Sequence, residues 1–494
     1  MALTGLIDVK RSLPVLGSAV LLSAAFHPLN LGLLVFVALV PWLLSLQSAD
    51  SRPMRSGFSF GLAVSLFQMS WITTLVSKWT GGTVFGVLIS IAAAFIVASF
   101  YAFLGVAVKA CWQLNKPWLI PVVWAGFEVL RSSLPGLAFP WGLIHTPLWP
   151  YPYLGQLAFF GTAFLVSALI VLVNVCLALA LDGKGWAVLR RYVYITLALF
   201  VVSFGWYERQ VAVESKTVVL AQPGVDLAFG GTAAMSQLPA TVEALLHGAT
   251  LANPDLVVLP EGLAVIGNAS NPTLPFSIPS GLPVILGVKR GSGPTYQSAL
   301  ASDGQGQWLV ADKTRLVAFG EYVPFRNLIP GVVSWLRLPG GDLTPGDKVT
   351  QVQVQDLNLG PMICFEALFW DVAHQHAQGG ANALVSMCLD DWFMGTIAPD
   401  QLKAAAVWRS IETGLPGLRS ASLGYSLACD YRGNMLIEIP LNASVPAKVE
   451  VPVPLNPVRN PMRPLFPWFA SLLAIGFAIY GMLPRQETTS QTAG

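Results

Sequence analysis

Long apolar runs fill the first part of the chain and short ones the second. Runs near 12–28, 31–47, 57–77, 84–108, 118–133, 157–181 and 190–207 predict helices. Most are close to the roughly 20 residues that span a bilayer. From about 208 to 464 the runs shorten to strand length, glycine and proline punctuate them, and charges appear. A last apolar run, about 465–483, predicts an eighth helix. The expected organisation is therefore a seven-helix membrane domain at 1–207, a folded domain at 208–464, and an eighth helix with a short tail at 465–494.

Composition supports a membrane protein. Of 494 residues 54% are hydrophobic and 11% charged, against about 25% charged in soluble domains. The net charge of +2 gives no bulk-charge case for nucleic-acid binding. The first apolar segment lacks a clear signal-peptidase site and reads as a retained helix. Eight crossings put both termini on one side. With that side cytoplasmic, its segments hold Lys10, Arg11, Arg52, Arg55, Lys109, Lys116, Lys184, Arg190, Arg191 and Arg485. The opposite short loops offer little beyond Lys78 and Arg131, so positive charge falls inside at every crossing. The large domain then lies outside the cytoplasm.

That domain reads as α/β. Strands are expected at 217–221, 255–260, 283–288, 297–302, 307–312, 360–364, 383–388, 417–423 and 425–430, and helices at 235–252, 369–378 and 399–413. Alternating elements with closely spaced strand pairs favour a layered sandwich over a doubly wound sheet.

Three strand-like runs end in residues with complementary chemistry. Glu261 follows Leu259-Pro260, Lys313 follows Ala311-Asp312, and Cys364 follows Met362-Ile363. A thiol attacks as a thiolate and needs a base or a positive neighbour. Together the three make a base, an oxyanion clamp and a nucleophile; singly, each reads more readily as a solvated strand end or an inert buried thiol. Glu321 and Glu366 add two carboxylates nearby in sequence. The remaining cysteines, Cys111, Cys176, Cys388 and Cys429, form no CxxC or Cys/His pattern, so neither structural zinc nor a disulfide framework is expected. His374 and His376, two apart on a helix, diverge, and no metal site is expected there. Asp390 and Asp391 read as paired acids or as a polar strand end.

In order, Leu259-Pro260-Glu261, then Lys313 with Phe319-Gly320-Glu321-Tyr322-Val323-Pro324, then Ile363-Cys364-Phe365-Glu366 resemble the nitrilase (carbon-nitrogen hydrolase) superfamily. Within it they resemble the apolipoprotein N-acyltransferase family. Ser23–Leu29, Ala125–Arg131 and Phe139–Gly142 resemble that family's membrane half. The resemblance implies an αββα sandwich and a Glu261–Lys313–Cys364 triad. Glu321, Glu366, Phe365 and Tyr322 stand beside it in supporting places. It also implies a monomeric multi-pass enzyme of the bacterial cytoplasmic membrane, without cofactor, whose catalytic domain is periplasmic. Such an enzyme moves an acyl chain from a phospholipid donor to the N-terminal amine of a diacylglyceryl lipoprotein. Two rivals remain: a membrane-tethered amidase with water as acceptor, and a non-catalytic lipid- or lipoprotein-binding protein. Where the family has Tyr after the cysteine and Asn before Asp390, this chain has Phe365 and Leu389. It also departs at 421–424 and after Gln222.

The segment 325–340 is too apolar for an ordinary solvated loop. It reads either as a short core helix or as a lid on the outer leaflet. In the second reading Ile329, Trp335 and Leu336 meet lipid and Arg326 meets phosphate.

Overall fold

The computed structural model describes residues 9–483 except 292 and 327–340. Among these residues four helices are long and apolar enough to cross a membrane: Thr83–Gln113, Ala163–Leu181, Trp186–Tyr207 and Leu465–Met482. Pro53–Gln68 and Ser70–Thr80, bent by 52° at their junction, make a fifth span if counted as one. Among the described residues eight full-length helices are not seen. The run expected at 31–47 becomes a 3-10 turn, Gly32–Phe36, and a short helix, Val40–Gln47. The run expected at 118–133 gives a helix of 14 residues. These short segments are covered by protein: Trp42, Leu43, Ile120 and Trp124 are fully buried. Their hydropathy thus reports burial in a helical core as much as contact with lipid.

Thirteen described strands form two sheets. The first contains β1 (Val213–Gln222), β2 (Leu256–Val258), β3 (Ala264–Ile266), β4 (Val284–Arg290), β5 (Tyr296–Ser302) and β6 (Trp308–Asp312). The second contains β7 (Val352–Val354), β8 (Leu357–Ile363), β9 (Ala383–Cys388), β10 (Gly417–Ala421), β11 (Ser426–Cys429) and β12 (Met435–Ile439). The last strand, β13 (Val445–Pro454), returns to the first sheet beside β1. The orders are β13-β1-β2-β4-β5-β6, with β3 beside β4, and β12-β11-β10-β9-β8-β7.

The two-residue period of a strand assigns each face. On β1, Val218 and Leu220 enter the core between the sheets, with Leu359, Ile363, Val385 and Met387 opposite. Val219 and Ala221 point the other way, under the helix Gly231–Thr250. That helix buries Ala234, Leu238, Val242, Leu245, Leu246 and Ala249, one stripe at helical spacing. On the outer face of the second sheet, Met362, Leu384 and Leu427 share a core with the helices Trp370–Gln378 and Ala398–Thr413 and with the membrane helices. The result is helix, sheet, sheet, helix, the expected αββα order.

The helix Ala398–Thr413 is the seat between the two halves; every residue in it except Asp400 is buried. Gln401 donates to the carbonyl of Gln68 at 3.2 Å. Glu412 Oε1 accepts from the N–H of Ala163 at 2.7 Å. This carboxylate caps the helix Ala163–Leu181, whose first N–H groups have no partner within the helix.

Candidate functional site

Glu261, Lys313 and Cys364 come together at one end of the sandwich. Each follows the C-terminal end of a strand, and each is nearly inaccessible: Lys313 is 1% exposed, Glu261 4% and Cys364 8%.

Cys364 directly follows β8 and starts the 3-10 helix Cys364–Leu368. Its φ is +52°, a left-handed conformation that costs a non-glycine residue free energy. The turn swings the side chain off the alternation of β8 and presents the sulfur at the strand end. Glu366 holds the turn. Its Oε2 accepts from the N–H of Ile363 at 2.9 Å. Its Oε1 accepts from the N–H and the hydroxyl of Thr314, both at 2.8 Å, and from the N–H of Arg315 at 3.1 Å. One buried carboxyl group therefore ties the cysteine turn to the residues after Lys313.

Lys313 continues β6, its N–H bonded to the carbonyl of Gln297 at 2.8 Å. Its ammonium lies 2.7 Å from Glu321 Oε1 and 3.9 Å from Glu261 Oε1. Glu321 Oε2 accepts from the N–H of Val317 at 2.8 Å, which fixes this carboxylate. Burial alone would lower the lysine pKa; the carboxylates of Glu321 and Glu261, with Cys364, outweigh it and raise it. Lys313 is thus a fixed cation in a dry place.

Glu261 packs its backbone against Gly287. A β-carbon at 287 would stand 2.5 Å from the Cα of Glu261, so only glycine allows the approach. The N–H of Gly287 bonds the carbonyl of Pro260 at 2.9 Å. Glu261 Oε2 has no hydrogen-bond partner among the described residues. Burial, then the adjacent Cys364, push the Glu261 carboxyl well above the usual range, against the pull of Lys313. The Cys364 thiol is also pushed well up, first by Cys388 and then by burial, again against Lys313. Ionising either group makes ionising the other harder, so the pair holds a proton at rest.

Of the other expected residues, Phe365 packs edge-on against Phe369, ring centres 5.0 Å apart. Tyr322 is half-buried. Both line a cleft of about 760 Å³. One wall is Ser132–Gly136, Pro464 and Trp468 from the membrane helix ends; the other includes Thr314, Arg315 and Phe365, next to Lys313 and Cys364. Arg326 lines the cleft and pairs with Asp342 at 2.6 Å. Ile329, Trp335 and Leu336, expected in a lid, lie outside the described residues.

Asp390 and Asp391 lie just past the end of β9, in the 3-10 helix Asp390–Phe393. Both are buried. Asp390 pairs with the fully buried Arg419. Asp391 accepts from the N–H of Leu227 at 2.6 Å and from Leu423 and Ser422. His376 bonds the carbonyl of Pro361 at 2.8 Å and His374 meets Arg463 at 3.1 Å; the two do diverge. Arg419 and Cys388 were not singled out by sequence. A charge inside the apolar strand Gly417–Ala421 was the available signal.

Both halves of the chain resemble known proteins. Residues 280–445 match the carbon-nitrogen hydrolase family, the class to which the two-sheet sandwich belongs. Residues 18–176 match the apolipoprotein N-acyltransferase N-terminal domain. The chain is 30% identical over 379 residues to the apolipoprotein N-acyltransferase of Sinorhizobium fredii, covering 70% of each chain. It is 28% identical over 471 residues to that of Allorhizobium ampelinum, covering 88% of each. A carbon-nitrogen hydrolase of Helicobacter pylori G27, of known structure, matches at 15% identity and a TM-score of 0.34, over 48% of this chain and 89% of that one. The chain belongs to the apolipoprotein N-acyltransferase family.

Proposed function

We propose that this protein moves a fatty acyl chain from a phospholipid to the N-terminal amine of a diacylglyceryl-cysteine lipoprotein, through a thioester on Cys364. The observation that carries the reading is the meeting of Glu261, Lys313 and Cys364 in one buried site, beside a cleft walled by membrane helix ends.

Glu261 takes the proton of the thiol as the sulfur attacks the ester carbonyl of the lipid. The carbonyl oxygen becomes an oxyanion, held by Lys313 and by backbone N–H groups of the turn after Cys364. The tetrahedral intermediate collapses, the C–O bond breaks, and protonated Glu261 gives its proton to the leaving alkoxide. Lysophospholipid departs and a thioester remains. The lipoprotein amine attacks it, Glu261 takes the amine proton, and the thiol re-forms as the amide is released. A thioester is a good donor to amines, and a dry site limits its hydrolysis. Glu321 keeps Lys313 in place; Glu366 keeps the nucleophile turn in register with it.

The domain plan proposed is 1–207 membrane, 208–464 catalytic and 465–494 final crossing and tail. Short apolar segments complete eight crossings alongside the long helices. Both termini are cytoplasmic and the catalytic layer is periplasmic, as the distribution of lysine and arginine favours. One chain holds all three groups, which is consistent with a monomer.

The test supplies the purified protein, in vesicles, with acyl-labelled phospholipid and a diacylglyceryl-cysteinyl peptide. The expected product is an amide-linked third chain on the peptide. Labelled free fatty acid alone, with the peptide unmodified, would instead make water the acceptor.

A further inference from the structure

The helix Trp370–Gln378 turns one face to the core and another to the cleft. Val372, Ala373, His376 and Ala377 are buried. Asp371, His374 and Gln375, at helical spacing, line the cleft. Arg315 joins this stripe from the residues after Lys313. Its guanidinium pairs with Asp371 and lies over the Phe369 ring, 5.6 Å from the centre. Phe369 in turn packs against Phe365, the residue after Cys364. The polar stripe is therefore a short step along the cleft from the reactive groups.

His374 has a fixed tautomer. Its Nδ1 lies 3.1 Å from Arg463 Nη1. A guanidinium only donates, so Nδ1 accepts and carries no proton. Burial, then Arg463, hold the His374 pKa down at about 4, so at neutral pH the ring is uncharged and its one proton sits on Nε2. That N–H is on the side of the ring away from Arg463. It has no hydrogen-bond partner among the described residues.

Arg463 is only 1% exposed. Its Nε donates to the carbonyl of Phe159 at 3.1 Å, and its Nη2 has no partner among the described residues. The neighbouring charges are matched, Arg315 by Asp371 and Arg409 by Glu412. Arg463 is left over, a buried cation behind the His374 ring, with no ion pair among the described residues. A buried unpaired charge is costly, and an anion in the cleft beside His374 would offset it. Arg326, also on the cleft, is already balanced by Asp342.

We infer that His374 and Arg315 form the subsite for the phosphodiester of the acyl donor, with Arg463 behind them as a positioning residue. The inference rests on the reading of this cleft as the path of a phospholipid donor. One anionic oxygen accepts from His374 Nε2–H. The other accepts from the N–H groups of Arg315 that Asp371 does not take. Both are charge-assisted bonds. Arg463 acts through His374: it holds the ring proton outward and supplies the balancing charge. The phosphate of a glycerophospholipid is a few bonds from its ester carbonyl, so holding the one brings the other towards Cys364. The phosphate is held alike before and during attack, so the subsite selects and places the donor without entering the chemical step.

The experiment uses the full-length protein in detergent and two pairs of lipids with matched chains. A diether phospholipid and the corresponding diether glycerol, neither able to acylate a thiol, report binding. Acyl-labelled phospholipid and diacylglycerol report kcat and KM for thioester formation. The parent should bind the diether phospholipid about tenfold more tightly than the diether glycerol, the size of one hydrogen bond to a charged group. His374→Phe keeps a ring against Trp370 and removes the donor. It should erase most of that preference, and its loss of turnover with phospholipid should fall on KM rather than on kcat. His374→Gln, whose amide nitrogen can stand in for Nε2, should retain most of the preference. Arg315→Gln should lose it, and carries the test if His374→Phe does not fold. Three results would overturn the inference: equal binding of the two diethers by the parent, a preference that survives both His374→Phe and Arg315→Gln, or an equal loss with both lipids. The last is what a merely structural histidine, or a site for free phosphate, would give. A parent that forms no thioester but keeps the binding preference would sink the nucleophile reading alone and leave the subsite standing.

Discussion

Glu366 Oε1 accepts from both the backbone N–H and the hydroxyl of Thr314, each at 2.8 Å. The bond crosses from the second sheet to the first and ties the turn that carries Cys364 to the residue after Lys313. The same carboxyl group bonds Ile363 and Arg315.

Glu366→Ala should therefore loosen both partners at once. Unsatisfied buried groups cost about 1–3 kcal/mol each, so thermal unfolding should move down clearly. Acylation should fall further than stability alone explains. Glu366→Gln, which keeps one acceptor oxygen, should be milder on both counts. An alanine variant as stable and as active as the parent would remove the clamp from the account.

Lys313→Met keeps chain volume and removes the cation. The chemical step should fall by roughly 10² to 10³, as for other oxyanion donors. Single-turnover measurement of thioester formation reads it directly. An unchanged rate would exclude Lys313 from oxyanion stabilisation.

The acid limb of the rate should report Glu261. The base must be ionised to act, and burial with the adjacent Cys364 raises its pKa, Lys313 opposing. As pH falls, activity should be lost above the ordinary carboxylate range of about 4. In Lys313→Met the opposing cation is gone, so the limb should move to still higher pH. A limb in the ordinary range, unmoved by that substitution, would contradict the assignment.

Much of the catalytic fold was legible. The apolar runs of β1, β2, β4, β5, β6, β8, β9, β10 and β11 are strands, all but β6 largely buried, and the three reactive groups follow the ends of β2, β6 and β8. β12 and β13 were not legible. Leu436 and Glu438 alternate with inward residues in β12. β13 carries Pro446, Pro452 and Pro454 beside Lys448 and Glu450, tolerable because it is an edge strand. Cys388 and Arg419 meet only through the register of β9 and β10, which pattern alone does not set. Glu366 was placed near the cysteine, but its bonds to Thr314 and Arg315 join residues about fifty apart in sequence. Hydropathy does not distinguish a helix in lipid from one enclosed by protein, so the short buried helix Val40–Gln47 reads in the sequence as part of a full-length run.

Glu412 tests the joint between the halves. It caps Ala163 and lies 2.9 Å from Arg409 Nε. Glu412→Ala strips the cap and leaves Arg409 buried without its carboxylate. The expected loss is about 3–5 kcal/mol, typical of breaking a buried pair, seen as a lower unfolding temperature in detergent. An unchanged unfolding temperature would show that the seat does not depend on this contact.

The central claim is the covalent intermediate on Cys364. The purified protein is mixed with acyl-labelled phospholipid and no acceptor, then digested and the peptides weighed. The account predicts one labelled peptide, containing Cys364, released by neutral hydroxylamine and absent in Cys364→Ser. Label on another residue, or full acyl transfer by Cys364→Ser, would contradict it.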